Sequence, residues 1–216
     1  MDIDQLLMDS LFQFKGEAIK SVADLKAKAE GLFIESKAII DSNKRLPITF
    51  YIYTNSGETM RFVPNLPKPL IAPVLEQVCK SAPEATALIA VTEAWGLVAD
   101  DNDDSVELGS DEMREWIRSG KQVRDHPEAR DILVITSLCN IGGHGKWSSM
   151  GTAPVIESGS NRSCGEILWS HGLADAKGTL LPPIEDILMV IEDPNFLREK
   201  LEQPQPGKFN KASSGW

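Results

Sequence analysis

Two apolar runs organise the polarity pattern of this chain. The first, Ala85-Thr-Ala-Leu-Ile-Ala-Val-Thr-Glu-Ala-Trp-Gly-Leu-Val-Ala99, is β-branched, bounded by turn formers and followed by an acidic stretch. The second, Arg130-Asp-Ile-Leu-Val-Ile-Thr-Ser-Leu138, follows a His-Pro-Glu-Ala turn. Both patterns predict strands buried on at least one face, and we expect them to lie side by side in the middle of one sheet.

Upstream, the period changes. Ile3, Leu7, Leu11, Phe14, Ala18, Val22, Leu25, Ala29, Leu32, Ser36 and Ile39 step by three or four, which predicts helix across residues 1–44. One helix of forty residues would run about 60 Å, longer than a small domain, so a break is expected near Gly16. From Ala18 the steps alternate four and three, the spacing of a coiled-coil seam. That seam makes a homodimer through residues 18–40 one expectation, and packing of two helices on the sheet or on each other the second.

Leu46–Thr54, Asn55-Ser-Gly57 and Glu58–Val63 predict a β-hairpin, since Asn and Gly supply the positive φ of a tight turn. Leu70–Ser81 reads as a helix with Pro73 in its first turn. After the acidic insert, Asp100–Gly109, Ser110 is expected to cap a short helix. Asn140–Thr152, rich in Gly and Ser, reads as a long loop. Strands are expected at Ala153–Ser158 and Gly165–Ser170, a helix at Ile184–Glu192, and further helical turns from Asp193-Pro194 to about Glu202. Residues 203–216 read as a mobile tail. The expected fold is α+β: a mixed, mostly antiparallel sheet of five or six strands with helices on one face, spanning residues 45–202 behind the helical segment.

Composition narrows the function classes. The 216 residues carry 22 basic and 32 acidic side chains, a formal charge of −10. That balance disfavours direct nucleic-acid contact and anionic membrane surfaces. Three widely spaced cysteines do not make a disulfide framework. The first residues lack the basic-then-apolar order of a signal peptide, and no apolar run approaches the ~20 residues of a membrane helix. A cytoplasmic protein is expected, with no cofactor assigned.

Several constellations carry candidate chemistry. Glu93 sits inside an apolar strand with Arg130 and His126 near the next one. That set suggests either a structural ion pair or a catalytic carboxylate with His126 as proton relay. Gly142-Gly-His-Gly-Lys146 suggests an anion-binding loop, but Asn140 and Trp147 break the P-loop pattern. His144, Lys146 and Trp147 then remain as contact residues for a partner, with Trp147 as the anchor. Cys139, His144, Cys164 and His171 have zinc-ligand chemistry without standard spacing. Asp101, Asp103, Ser105, Glu107 and Glu112 fit calcium-loop positions, although Val106 replaces the required Gly.

Thr92-Glu-Ala-Trp95 at a strand end, followed by Pro127-Glu-Ala-Arg130-Asp131, resembles small uncharacterised bacterial and bacteriophage proteins. In those, Ser-Glu-Ala-Trp precedes a Pro-x-x-Arg-x-Glu turn; here Thr92 replaces the Ser and Asp131 the Glu. The resemblance spans residues 45–140 and implies an α+β fold without a known activity. The expected function is therefore a non-enzymatic interaction or regulatory protein with a protein partner. An acidic mimic of nucleic acid is one form of it. A small enzyme or metal protein built on the residues above is the alternative.

Overall fold

The computed structural model describes residues 11–82, 84–97, 116, 119–121, 123–127, 129–173, 187–193 and 196. The chain order is β1 (Leu11–Lys15), α1 (Val22–Asp41), β2 (Thr49–Thr54), β3 (Glu58–Phe62), α2 (Lys68–Ser81), β4 (Ala85–Leu97), a 3₁₀ turn (Val123–Asp125), β5 (Ala129–Ile141), β6 (Gly145–Ser158), β7 (Asn161–Cys164), β8 (Leu168–Leu173) and β9 (Val190–Ile191). The fold is α+β: the described residues form one sheet of nine strands, seven of them in the order β1-β3-β2-β4-β5-β6-β7. β8 also pairs with β6, and β9 joins β5 as the parallel pair.

The two apolar runs are indeed adjacent. β4 and β5 pair antiparallel from Ala87↔Cys139 to Leu97↔Ala129. Because successive side chains alternate faces, this register puts the odd-numbered residues of both strands on one side. Ala87, Ile89, Val91, Leu133 and Ile135 form a core with α1 there. Leu88 and Leu138 form a second core on the other side with Phe50, Ile52, Phe62 and the α2 residues Ile71, Leu75 and Val78. The helices therefore cover opposite faces, not one face as the sequence led us to expect, since buried central strands are apolar on both sides.

The N-terminal helical expectation is also corrected. Residues 1–10 lie outside the described set, and Leu11–Lys15 is an edge strand antiparallel to β3. The spacing of Leu11 and Phe14 fitted a helix only by coincidence over so short a run. The break near Gly16 is present: its N–H donates to the Gly57 carbonyl at 2.7 Å, closing β1 against the β2–β3 turn. Ser21 then caps α1, its Oγ accepting from the Asp24 N–H at 3.1 Å. The Asp193 carboxylate accepts from the Val22 N–H at 2.9 Å across 171 residues. A negative group at a helix N-terminus is favourable on both hydrogen-bond and dipole grounds.

The seam Val22, Leu25, Ala29, Leu32 and Ser36 is buried against the chain's own sheet. Full burial of each large aliphatic there contributes about 1.5–3 kcal/mol, so the face assigned to a homodimer is occupied internally. The small Ala29 and Ser36 let the backbone approach the sheet, which curls around α1 to bring β4, β5 and β7 against it.

Residues 140–152 do not form a loop. β5 continues to Ile141, turns through Gly142–His144, and returns as β6. Gly143 and Gly145 take φ of +71° and +87°, which the tight turn requires. Further along, Gly151 leaves space for Trp169 and Ile167: a Cβ would lie 2.6–2.8 Å from their side-chain atoms. Small residues here serve close packing rather than flexibility. β7 and β8 both run along the outer edge of β6, with Gly165–Ile167 between them.

α2 begins at Lys68, which places Pro73 in its second turn. In place of the C-terminal helix expected at 184–192, Val190–Ile191 is a short strand beside Asn140–Ile141. The Met189 N–H donates to the Ala85 carbonyl at 2.7 Å, and Asn140 Nδ2 to the Leu188 carbonyl at 2.6 Å. Those bonds set the segment as strand. The acidic insert, the Ser110 helix except Trp116, the turns to Glu202 except Asp193 and Phe196, and the tail fall outside the described residues. No described helix is long and apolar enough to cross a membrane.

Candidate functional site: an arginine clamp beside an exposed tryptophan

Strand register places Glu93, Trp95 and Asp131 on the α1 side of the sheet, with Trp95 directly opposite Asp131. On β6 and β7, Glu157 and Arg162 form another cross-strand pair. Arg162 reaches inward from β7: Nη2 lies 2.5 Å from Glu93 Oε2 and Nε donates to Glu157 Oε1 at 3.1 Å. Asp131 Oδ2 is 4.0 Å from Nη2. The Arg162 and Glu93 side chains are each 9% exposed, and Asp131 is 11% exposed.

The same arginine holds the chain leaving α1. Its Nη1 donates to the Lys44 carbonyl at 3.0 Å, while its backbone N–H donates to Asn43 Oδ1 at 2.6 Å. Glu93 Oε1 accepts from the Leu46 N–H at 2.5 Å. One helical turn back, Asp41 accepts from the Cys164 N–H at 2.8 Å and pairs with Lys37 at 3.0 Å. These bonds seam α1 and its exit to β7. A planar guanidinium donates in several fixed directions at once, which a lysine cannot do.

The electrostatics follow the bonding. The Cys164 amide, helped by Lys37, holds the Asp41 carboxyl below its ordinary value. Burial pushes Asp131 up, an effect that Arg45 and Arg162 oppose. The hydrogen bond to Glu93 raises Arg162 further.

Glu93 therefore has a buried arginine partner, but it is Arg162. Arg130 stands opposite Gly96, an even-numbered position, so its side chain leaves from the other face of the sheet. His126 sets its ring edge-on to Trp116, with centroids 4.7 Å apart. The expected catalytic set of Glu93, His126 and Arg130 is thus not assembled around one point.

The other candidates also separate. Trp147 is 4% exposed and packs under α1, with Lys26 Nζ 5.8 Å from its ring centroid. It is a core residue, not a surface anchor. His144 belongs to the β5–β6 turn and lies against Phe196, with centroids 5.2 Å apart. Lys146 stands opposite Asn140 on β6.

Cys139 and Cys164 meet β6 at Trp147 and Val155. Eight residues of extended strand separate those positions by about 26 Å, too far for a shared zinc. The side chain of His171 and the calcium-loop residues 101–112 lie outside the described set. Among the described residues, no group of three His, Cys, Asp or Glu side chains is placed to hold a metal.

Trp95, near the end of β4, faces solvent. Its ring is 49% exposed and borders a cavity of about 470 Å³ lined also by Arg130, Asp131, Pro154, Val155, Ile156 and Glu157. Ile156 is 54% exposed beside it. A larger depression of about 570 Å³, at the start of α1, is lined by Glu17, Ala18, Lys20, Asp24, Ala27 and Lys28 and has no aromatic wall. The Trp95 cavity combines the apolar surfaces of Trp95, Val155 and Ile156 with the carboxyl-bearing residues Asp131 and Glu157.

Sequence reasoning missed Arg162, Asp131, Asp41 and Glu157. Asp131 and Arg162 could have been flagged as charged residues at strand positions whose neighbours alternate inward. Apart from Glu157, five residues from Arg162, their partners lie 31–119 residues away along the chain, where no local pattern points to them. No protein family, curated protein or solved structure matches this chain.

Proposed function

We propose that this protein is a non-enzymatic interaction module whose contact centre is the Trp95 end of strands β4–β6. The exposure of Trp95 carries the reading. A half-exposed tryptophan on a central strand leaves a large amphipathic ring facing solvent, and such rings dominate binding energy at interface centres. The Arg162 clamp beneath it supports the reading. It holds β4, β5 and β7 in one geometry, so a partner meets a preorganised surface and loses less entropy on docking.

The Glu93–Arg162 pair itself is structural in this account. Both groups are engaged with each other and with backbone atoms, which leaves neither available to abstract or deliver a proton.

The test compares wild type with Trp95→Ala by cross-linking in the native host, after both are shown to melt alike. We expect a stoichiometric partner with wild type and its loss with Trp95→Ala. Recovery of the same proteins with both forms overturns the proposal.

A further inference from the structure

We propose that the Trp95 cavity binds a cationic side chain of the partner, a guanidinium or ammonium held between the Trp95 ring and the Asp131 carboxylate. The inference rests on the interaction reading above and names the chemistry of the contact.

Trp95 and Asp131 are direct cross-strand partners, so their β-carbons lie about 4.5–5.5 Å apart. Their side chains stand on the same face beside the cavity. A cation placed there meets the negative face of an indole and a carboxylate at the same time. Each of these attractions strengthens as water is excluded.

The state of the carboxylates favours this occupant. Glu93 is engaged by Arg162 and by the Leu46 amide, and Glu157 by Arg162 and Arg45. Asp131 has one described ion pair, the 4.0 Å approach of Arg162, which is long for a hydrogen bond. It is nevertheless almost buried, and an ionised carboxylate in that position gains from an added donor. Asp131 and Glu157 both line the cavity, and Arg130, also at its rim, belongs to a strand position whose side chain alternates to the other face. The whole chain, at −10, also steers basic groups toward itself.

An anionic ligand fits less well. Arg162, the other guanidinium near the site, is turned to Glu93, Glu157 and the Lys44 carbonyl. Pro154 at the wall has no amide N–H to offer an anion.

The experiment titrates the full chain with hexa-arginine, hexa-glutamate and a neutral Gly-Ser hexamer at low salt. It follows the indole N–H resonance of Trp95, assigned by its loss in Trp95→Phe. Hexa-arginine should shift that resonance, and the other two peptides should not. Asp131→Asn should weaken hexa-arginine binding tenfold or more, while Glu30→Gln, which removes a distant exposed charge on α1, should change it less than twofold.

A stationary indole signal, or equal weakening by Asp131→Asn and Glu30→Gln, overturns the cation assignment. If Trp95-dependent partner capture persists in that case, the interaction reading stands without it. Failure of capture to depend on Trp95 overturns the reading beneath both. Circular dichroism of each variant verifies that it is folded before binding is compared.

Discussion

Arg162 Nη2 lies 2.5 Å from Glu93 Oε2, joining strands β7 and β4 across β5 and β6, with both side chains almost withdrawn from water. Removing one member of such a pair strands the other. Arg162→Ala leaves Glu93 without its guanidinium and frees the Lys44 carbonyl, so we expect a loss of about 3–5 kcal/mol in a denaturant melt. Arg162→Lys keeps the charge but lacks the planar fork, and should recover less than half of that loss. In a double-mutant cycle with Glu93→Gln, the two losses should fall well short of adding. Additive losses would contradict a direct pair.

The two tryptophans named by the sequence should respond oppositely. Trp147→Ala empties a core position beneath α1 and should cost about 3–5 kcal/mol. Trp95→Ala, at a half-exposed site, should cost less than about 1 kcal/mol. Calorimetric melting of both variants measures this directly, and a large drop for Trp95→Ala would place that ring in the core.

Two aspartates give opposite contributions to acid stability. Asp41 is held below its ordinary value of 3.8, so its contribution is present above that value and is lost as pH falls through the lowered one. Asp41→Asn should therefore be less stable than wild type at pH 7, with the gap closing in acid. Asp131 is raised above 3.8 by burial; its ionisation weakens the fold as pH rises from 3.8 through the raised value. Asp131→Asn should be more stable than wild type at pH 7 and no different below that window. Urea melts across this range test both signs.

All three cysteines are buried. Burial pushes the Cys79 and Cys139 thiols up to about 12 and Cys164 up to about 11. Thiolate is the reactive form, so the native protein should react very slowly with a disulfide reagent at pH 8. Three equivalents should appear at once in denaturant. Fast reaction of one thiol in the native state would reveal an open path to it.

The strands at 85–97 and 129–141 were legible because long β-branched runs have few alternatives, and the β2–β3 hairpin because Asn55-Ser-Gly57 suits a tight turn. The helix at 22–41 was legible in its period, though not in what its seam packs on. Leu11–Lys15 was misread because Leu11 and Phe14 match a helical step. The pairing that makes them a strand comes from β3, 43 residues further on at Lys15↔Glu58 and 51 at Leu11↔Phe62. Asn140–Thr152 was misread for a related reason. Glycine and serine suggest a loop when counted locally, yet here the glycines admit a tight turn and the side chains of Ile167 and Trp169.

The candidate site was legible in part. The sequence marked Glu93 as a buried charge needing a cation, because an apolar strand cannot hold a lone carboxylate. It named Arg130 and missed Arg162. Local pattern determined the element types, the apolar faces and the demand for a counter-charge, since those depend on neighbours a few residues apart. Tertiary structure alone decided the partner, the face and the exposure of Trp95. Strand register alternates side chains with a period of two, so a single step sends Arg130 to one side of the sheet while the pairing of β6 with β7 brings Arg162 to the other.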